Sequence, residues 1–184
     1  DRATGGLSTE KLLAFLETRR GKLDGVCVTG GEPTLYEDLP ALLRQIRALG
    51  FAVKLDTNGT NPAMLKALLH ERVLDYVAMD IKNSPSRYAE TCGGIDCLSR
   101  VRESAALLMD GTVDYEFRTT MVKEFHREAD FSLHRGVDSG RQTLFSPGLC
   151  GFRQPRRRLR FLSRIQQAGG GPYPQSSASL CFAD

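Results

Sequence analysis

The sequence contains no tryptophan, only three histidines, and no CxxC pair among its five cysteines, at positions 27, 92, 97, 150 and 181. An odd, scattered set of thiols fits no disulfide framework. His70, His126 and His134 stand in unrelated contexts and give no constellation for acid–base or metal chemistry; His70 falls at a helix end, where the dipole favours an imidazolium. No apolar run is long enough to span a bilayer and no secretory signal pattern is present. The expected setting is cytoplasmic and reducing, with no membrane partner. The chain opens on Asp1 rather than Met, which reads as the interior of a longer protein.

Lysine is absent from residues 132–184, which hold 8 Arg and 2 Asp for a net charge of +6, while residues 1–131 hold 17 Lys+Arg against 20 Asp+Glu, a net of −3. The overall +3 therefore comes from the C-terminal stretch alone, and it is no argument that the whole chain binds nucleic acid. Arg156, Arg157 and Arg158 have only Phe152 and Phe161 near them to stack on bases, so a nucleic-acid partner is not expected. A length of 184 with 41% apolar residues suffices for one domain with its own core. Two units are expected: an ordered α/β part over 1–131 and a basic, low-order tail over 132–184. The tail's Arg, Gly, Pro and Ser bias reads as an out-of-frame translation, with a natural disordered segment as the alternative.

What is present is organised around DGVCVTGGEPTLY, Asp24 to Tyr36. Val26, Cys27 and Val28 read as a buried strand and Gly30 to Pro33 as the loop at its carboxyl end. Two glycines there allow positive φ and close approach of a ligand, while Pro33 fixes the exit. Glu32 is expected at the rim, where a carboxylate beside free carbonyls suits an ammonium group. A tight turn with a solvated glutamate is the competing reading.

The rest of residues 1–131 alternates helix and strand. Ser8 caps a helix to about Arg20; a strand covers 25–29; a helix starts near Asp38 and stops at Gly50; a strand covers 51–56. Asn61 caps a helix that begins with Pro62; a strand runs from Val73 to Ile81; a helix covers about 95–109; a strand covers 113–121. Such alternation predicts a parallel sheet with crossover helices, and ligands of such sheets bind at the carboxyl strand ends. GGEP, Asp56 to Gly59, Asp80 with Lys82, and Arg118 all fall at those ends. Asn58-Gly59 also fits a hairpin turn, and Asp80 with Lys82 also fits an ordinary surface ion pair. Asp56 and Asp80 on neighbouring strand ends repel unless something positive lies between them.

Together VTGGEPTL, KLDTNGTNP, YVAMDIK and DYEFRTT resemble the radical S-adenosylmethionine superfamily, and within it the activating proteins of anaerobic ribonucleoside-triphosphate reductase, close to pyruvate formate-lyase activases. The likeness covers about residues 7–131. It implies a partial six-stranded (β/α) barrel of TIM-like type, truncated here at its N-terminus and lacking the last strand. It implies that Gly30, Gly31 and Glu32, with Pro33, receive the methionyl ammonium of S-adenosylmethionine. Asp56 and Asp80 then hold a monovalent cation against the methionyl carboxylate, Thr57 and Asn58 contact the cofactor, and Lys82 and Arg118 lie near the cofactor or the substrate peptide. The family chemistry is one-electron cleavage of S-adenosylmethionine by a four-iron four-sulfur cluster, fed by a donor such as flavodoxin or ferredoxin, and hydrogen abstraction from a glycine of the reductase.

The chain departs from that pattern in having no CxxxCxxC cluster motif. Cys92 and Cys97 flank a Gly-Gly but are too few for a cluster, and Cys27 reads as core. Other members sharing GGEP-type motifs, pyruvate formate-lyase activase and 7-carboxy-7-deazaguanine synthase, are alternative readings, as is a non-catalytic relic. A fragment with open sheet edges is expected to fold poorly alone.

Overall fold

A computed structural model describes residues 8–120, His126 and the backbone of 179–182. The first helix, α1 (Thr9–Glu17), is capped by Ser8, whose Oγ accepts from Lys11 N at 3.4 Å. It stops earlier than its sequence pattern suggests, since Thr18 and Arg19 close back on Phe15 and Leu16 and the chain turns through Gly21 at φ +72°. Strand β1 (Gly25–Thr29), α2 (Leu39–Ala48), β2 (Ala52–Thr57), α3 (Pro62–His70) and β3 (Tyr76–Asp80) then follow. Next come a four-residue helix α4 (Tyr88–Thr91), α5 (Leu98–Met109) and β4 (Asp114–Arg118). The alternation is as expected, but α4 lacks a sequence signal of its own and α5 begins at Leu98, after the Gly93-Gly94 turn. Both glycines have positive φ.

Strands β1 to β4 are parallel and lie side by side in chain order. Sequential order is the signature of a barrel wall rather than of a doubly wound sheet, whose order reverses part-way. The Asn58-Gly59 turn therefore belongs to a βα loop, not a hairpin. Right-handed crossovers between consecutive parallel strands place the helices on one side. There Val26, Val28, Val53, Leu55, Val77 and Met79 join Leu16, Leu43, Ile46, Leu65, Leu68 and Leu108 in the core. Each of these buried side chains is worth roughly 1.5–3 kcal/mol of transfer free energy.

A fifth strand, β5 (Ser179–Phe182), pairs antiparallel with the outer edge of β1, with Cys27 opposite Cys181. It falls inside the stretch read as a low-order tail, and it covers an edge that the sequence left open. The rest of the 132–184 expectation lies outside the described residues.

Because side chains alternate along a strand, the face away from the helices carries its own set. In register order it holds Lys54 beside Tyr76, Asp56 beside Ala78 beside Glu116, and Asp80 beside Arg118. This row of charges is what the barrel wall presents inward.

Candidate functional site

At the end of β1, Gly30 has φ +148°, a conformation reserved for glycine, and a Cβ on Gly31 would meet nothing within 4 Å. Pro33 starts a single 3₁₀ turn, Pro33–Leu35. Glu32 is not at the rim: it is buried at 7% exposure. Its Oε1 accepts from Thr34 N at 3.2 Å, from the Thr34 hydroxyl, and from Thr57 Oγ1 at 2.6 Å, while Oε2 accepts from Asn58 N at 2.7 Å. The carboxylate thus ties the β1 loop to the end of β2. A carboxylate offers about four acceptor directions, so Oε1 is fully used and Oε2 retains room for one more donor.

The loop after β2 is fixed by the same logic. Thr57 Oγ1 accepts from Gly59 N at 3.1 Å while donating to Glu32, and Asn58 Oδ1 accepts from Thr60 N at 2.9 Å. Asn61 caps α3 through Met64 N and donates from Nδ2 to the Thr34 carbonyl at 2.6 Å. Gly59 has φ +73°, its carbonyl accepts from the buried Ser104 hydroxyl at 2.8 Å, and an added Cβ would run into Met79 Cε. Thr57 and Asn58, expected as ligand contacts, therefore serve first as donors to Glu32.

Asp56, Asp80, Lys82 and Arg118 do converge. Arg118 Nη1 donates to Asp56 Oδ2 at 3.1 Å and its Nε lies 3.4 Å from Asp80 Oδ1. Lys82 Nζ donates to Asp80 Oδ2 at 3.0 Å. Burial works against the charged guanidinium, but Asp56 and Asp80, the hydrogen bond to Asp56 and the charge of Glu116 outweigh it and hold Arg118 above its ordinary value. The positive company that two facing carboxylates need is thus supplied by the next strand.

Two members of the group went unnoticed in the sequence. Lys54 Nζ lies 3.4 Å from Asp56 Oδ1 and 3.7 Å from Glu116 Oε1, and 5.8 Å from the centre of the Tyr76 ring. Glu116 is buried at 4% exposure, and its Oε2, like Asp56 Oδ1, has no hydrogen-bond partner among the described residues. Period-two alternation would have found both: Lys54 shares a face with Asp56, and Glu116 with Arg118.

Around β3's end the backbone is also held. Lys82 N donates to the hydroxyl of buried Tyr88 at 3.3 Å, and His126 Nε2 donates to the Lys82 carbonyl at 2.8 Å. Desolvation pushes the Tyr88 phenol upward, despite the hydrogen bond from Lys82. Desolvation, then a hydrogen bond and charge from Cys97, pushes the Cys92 thiol up to about 11. No group of three or more His, Cys, Asp or Glu fit to hold a metal occurs among the described residues.

Residues 4–131 match the model of the Radical SAM superfamily. The chain belongs to this superfamily. As a radical S-adenosylmethionine protein it is 35% identical over 112 residues to a Methanocaldococcus jannaschii protein named as a glycyl-radical enzyme activating enzyme, covering 58% of this chain and 47% of that one. It is also 32% identical over 87 residues to the 7-carboxy-7-deazaguanine synthase of Thermococcus kodakarensis, covering 47% and 34%. The chain thus spans about half, or less, of these relatives' length. Its fold resembles a domain of pyruvate-formate lyase-activating enzyme from Bacteroides vulgatus, with TM-score 0.53 at 19% identity, over 61% of this chain and 70% of that one. The partial TIM-like α/β barrel expected from the sequence is the fold observed, and no described helix is long and apolar enough to cross a membrane.

The donor set fits S-adenosylmethionine, an ammonium, carboxylate and polyhydroxyl ligand: Glu32 Oε2, Asp56 Oδ1 and Glu116 Oε2 retain acceptor capacity, and Gly31 leaves open space. It does not fit a four-iron four-sulfur cluster, for which Cys27, Cys92 and Cys97 provide no triad. A monovalent cation between Asp56 and Asp80 would meet the Arg118 guanidinium already there.

Proposed function

We propose that this chain is the S-adenosylmethionine-binding part of a glycyl-radical activating enzyme whose partner is anaerobic ribonucleoside-triphosphate reductase, with a flavodoxin or ferredoxin as electron donor. One observation carries the reading. The carboxyl ends of four successive parallel strands bring Glu32, Asp56, Asp80, Lys82 and Arg118 to one end of the sheet, in a chain related over 112 residues to a protein named for glycyl-radical activation.

In this reading Glu32 Oε2 and the backbone at Gly30 and Gly31 receive the methionyl ammonium, with Pro33 holding the turn. Lys82 and the unused N–H groups of Arg118 face the methionyl carboxylate. Asp56 Oδ1 and Glu116 Oε2 accept from donor groups elsewhere on the ligand, which would give two buried acceptors the partners they lack. Bound S-adenosylmethionine would supply the hydrogen-abstracting chemistry toward a glycine of the partner, given an electron from a cluster that Cys27, Cys92 and Cys97 do not ligate. The chain's residues contribute position and charge balance.

Co-expression with the reductase under anaerobic conditions, followed by electron paramagnetic resonance, tests the reading. Because Cys27, Cys92 and Cys97 provide no triad for a cluster, this chain alone is expected to give no glycyl-radical signal, and the signal is expected when the chain is joined to a segment that carries a CxxxCxxC motif. The 32% identity to a 7-carboxy-7-deazaguanine synthase favours a second reading, in which the joined chain produces no glycyl radical on any partner.

A further inference from the structure

Among the described residues, the ion-paired group of the inward face has three carboxylates, Asp56, Asp80 and Glu116, and three cations, Lys54, Lys82 and Arg118, while Asp114 lies on the same face at the exposed start of β4. The group is balanced without any added ion. Arg118 holds the central place. It stands at the end of β4 and its guanidinium reaches Asp80 on the adjacent strand and Asp56 on the strand beyond. The crossing is possible because the residue it must pass, Ala78, is small; Ala78 is the register partner of both Asp56 and Glu116.

We infer that Arg118 is a built-in counter-ion that occupies the place between Asp56 and Asp80, so that this site binds its ligand without a monovalent metal cation. A tethered guanidinium competes at an effective concentration set by its own side chain, whereas a free alkali ion must displace it and shed water. The planar fork suits two carboxylates better than a point charge does. One of its five N–H donors bonds Asp56, Nε lies 3.4 Å from Asp80 Oδ1, and Nη2 has no bond among the described residues. Those spare donors are matched to a ligand carboxylate, the group that a metal cation would otherwise bridge. This last step rests on the proposed binding of S-adenosylmethionine; the occupation of the place by Arg118 does not.

The test has two readouts on the full chain at constant ionic strength, in potassium, sodium or tetramethylammonium chloride. In the first, without ligand, the melting midpoint of the wild type is the same in all three salts, while Arg118→Gln melts higher in potassium or sodium than in tetramethylammonium, and Arg118→Lys shows no such dependence. In the second, calorimetric affinity of the wild type for S-adenosylmethionine is equal in the three salts; Arg118→Gln binds about tenfold or more weakly in tetramethylammonium and recovers part of the loss in an alkali salt. A wild type whose melting or affinity responds to potassium or sodium overturns the inference, as does a folded Arg118→Gln that no alkali ion rescues. If Arg118→Gln does not fold, the wild-type salt comparison decides alone. A wild type that binds no S-adenosylmethionine in any salt defeats the functional reading, while the melting comparison still decides whether Arg118 fills the cation's place.

Discussion

The two carboxylate groups at the strand ends are built in opposite ways. Glu32 is buried and held by short-range neutral donors, two hydroxyls and two backbone amides from adjoining loops. Asp56, Asp80 and Glu116 are held instead by the tips of long side chains at 3.0 to 3.7 Å, and two of their oxygens have no hydrogen-bond partner among the described residues. Hydroxyls and amides fixed by loop geometry cannot follow a ligand without breaking the loops. Arginine and lysine tips can move by rotamer changes at small cost. The corner at Glu32 sets the shape of the site, and the charged face adapts to what enters it.

The strongest way to break this contrast is Glu32→Ala. It strips partners from Thr57, Asn58 and Thr34 at once, and leaving several buried donors unsatisfied costs about 3 kcal/mol or more. Urea denaturation should show that loss; a change under about 1 kcal/mol would mean that the corner is not a scaffold. Asp80→Ala is the counterpart. Its side chain is 31% exposed, so stability should change by about 1 kcal/mol or less. Affinity for S-adenosylmethionine should fall about ten- to a hundredfold.

Ser104→Ala sharpens the corner's boundary. The hydroxyl holds the Gly59 carbonyl from α5, so its loss should cost about 1 kcal/mol with ligand affinity unchanged. A further distinction lies in alkali. Tyr88 and Cys92 both have folded-state values above their ordinary ones, so the native state keeps protons that the unfolded chain releases. Their contribution is complete below about pH 9 and declines as pH rises, first through the range of Cys92, near 9 to 11, and then through that of Tyr88. The melting midpoint should fall through this range, and Tyr88→Phe should flatten its upper part. A midpoint that rises instead would contradict the sign.

Much of the frame was legible because it depends on local rules. Ser8 and Asn61 as caps, Pro62 in the first helical turn and a strand at β2 all appear where the sequence placed them, β2 within one residue at each end. Asp56, Asp80, Lys82 and Arg118 could be gathered because each follows or ends a strand in the same phase. The burial of Glu32 was not legible: it depends on Thr57, 25 residues further along the chain, donating to its carboxylate. Nor was the reach of Arg118 over Ala78, which needs the strand order and register. The pairing of Ser179–Phe182 with β1 carries no local signal in a stretch dominated by Arg, Gly and Ser.

The most direct test of the account is anaerobic titration calorimetry of S-adenosylmethionine into the wild type and Asp80→Ala, with melting curves of both proteins. The account predicts saturable binding to the wild type, binding about ten- to a hundredfold weaker in Asp80→Ala, and nearly coincident melting curves. Equal affinity in the two proteins, or no binding to a folded wild type, would contradict it.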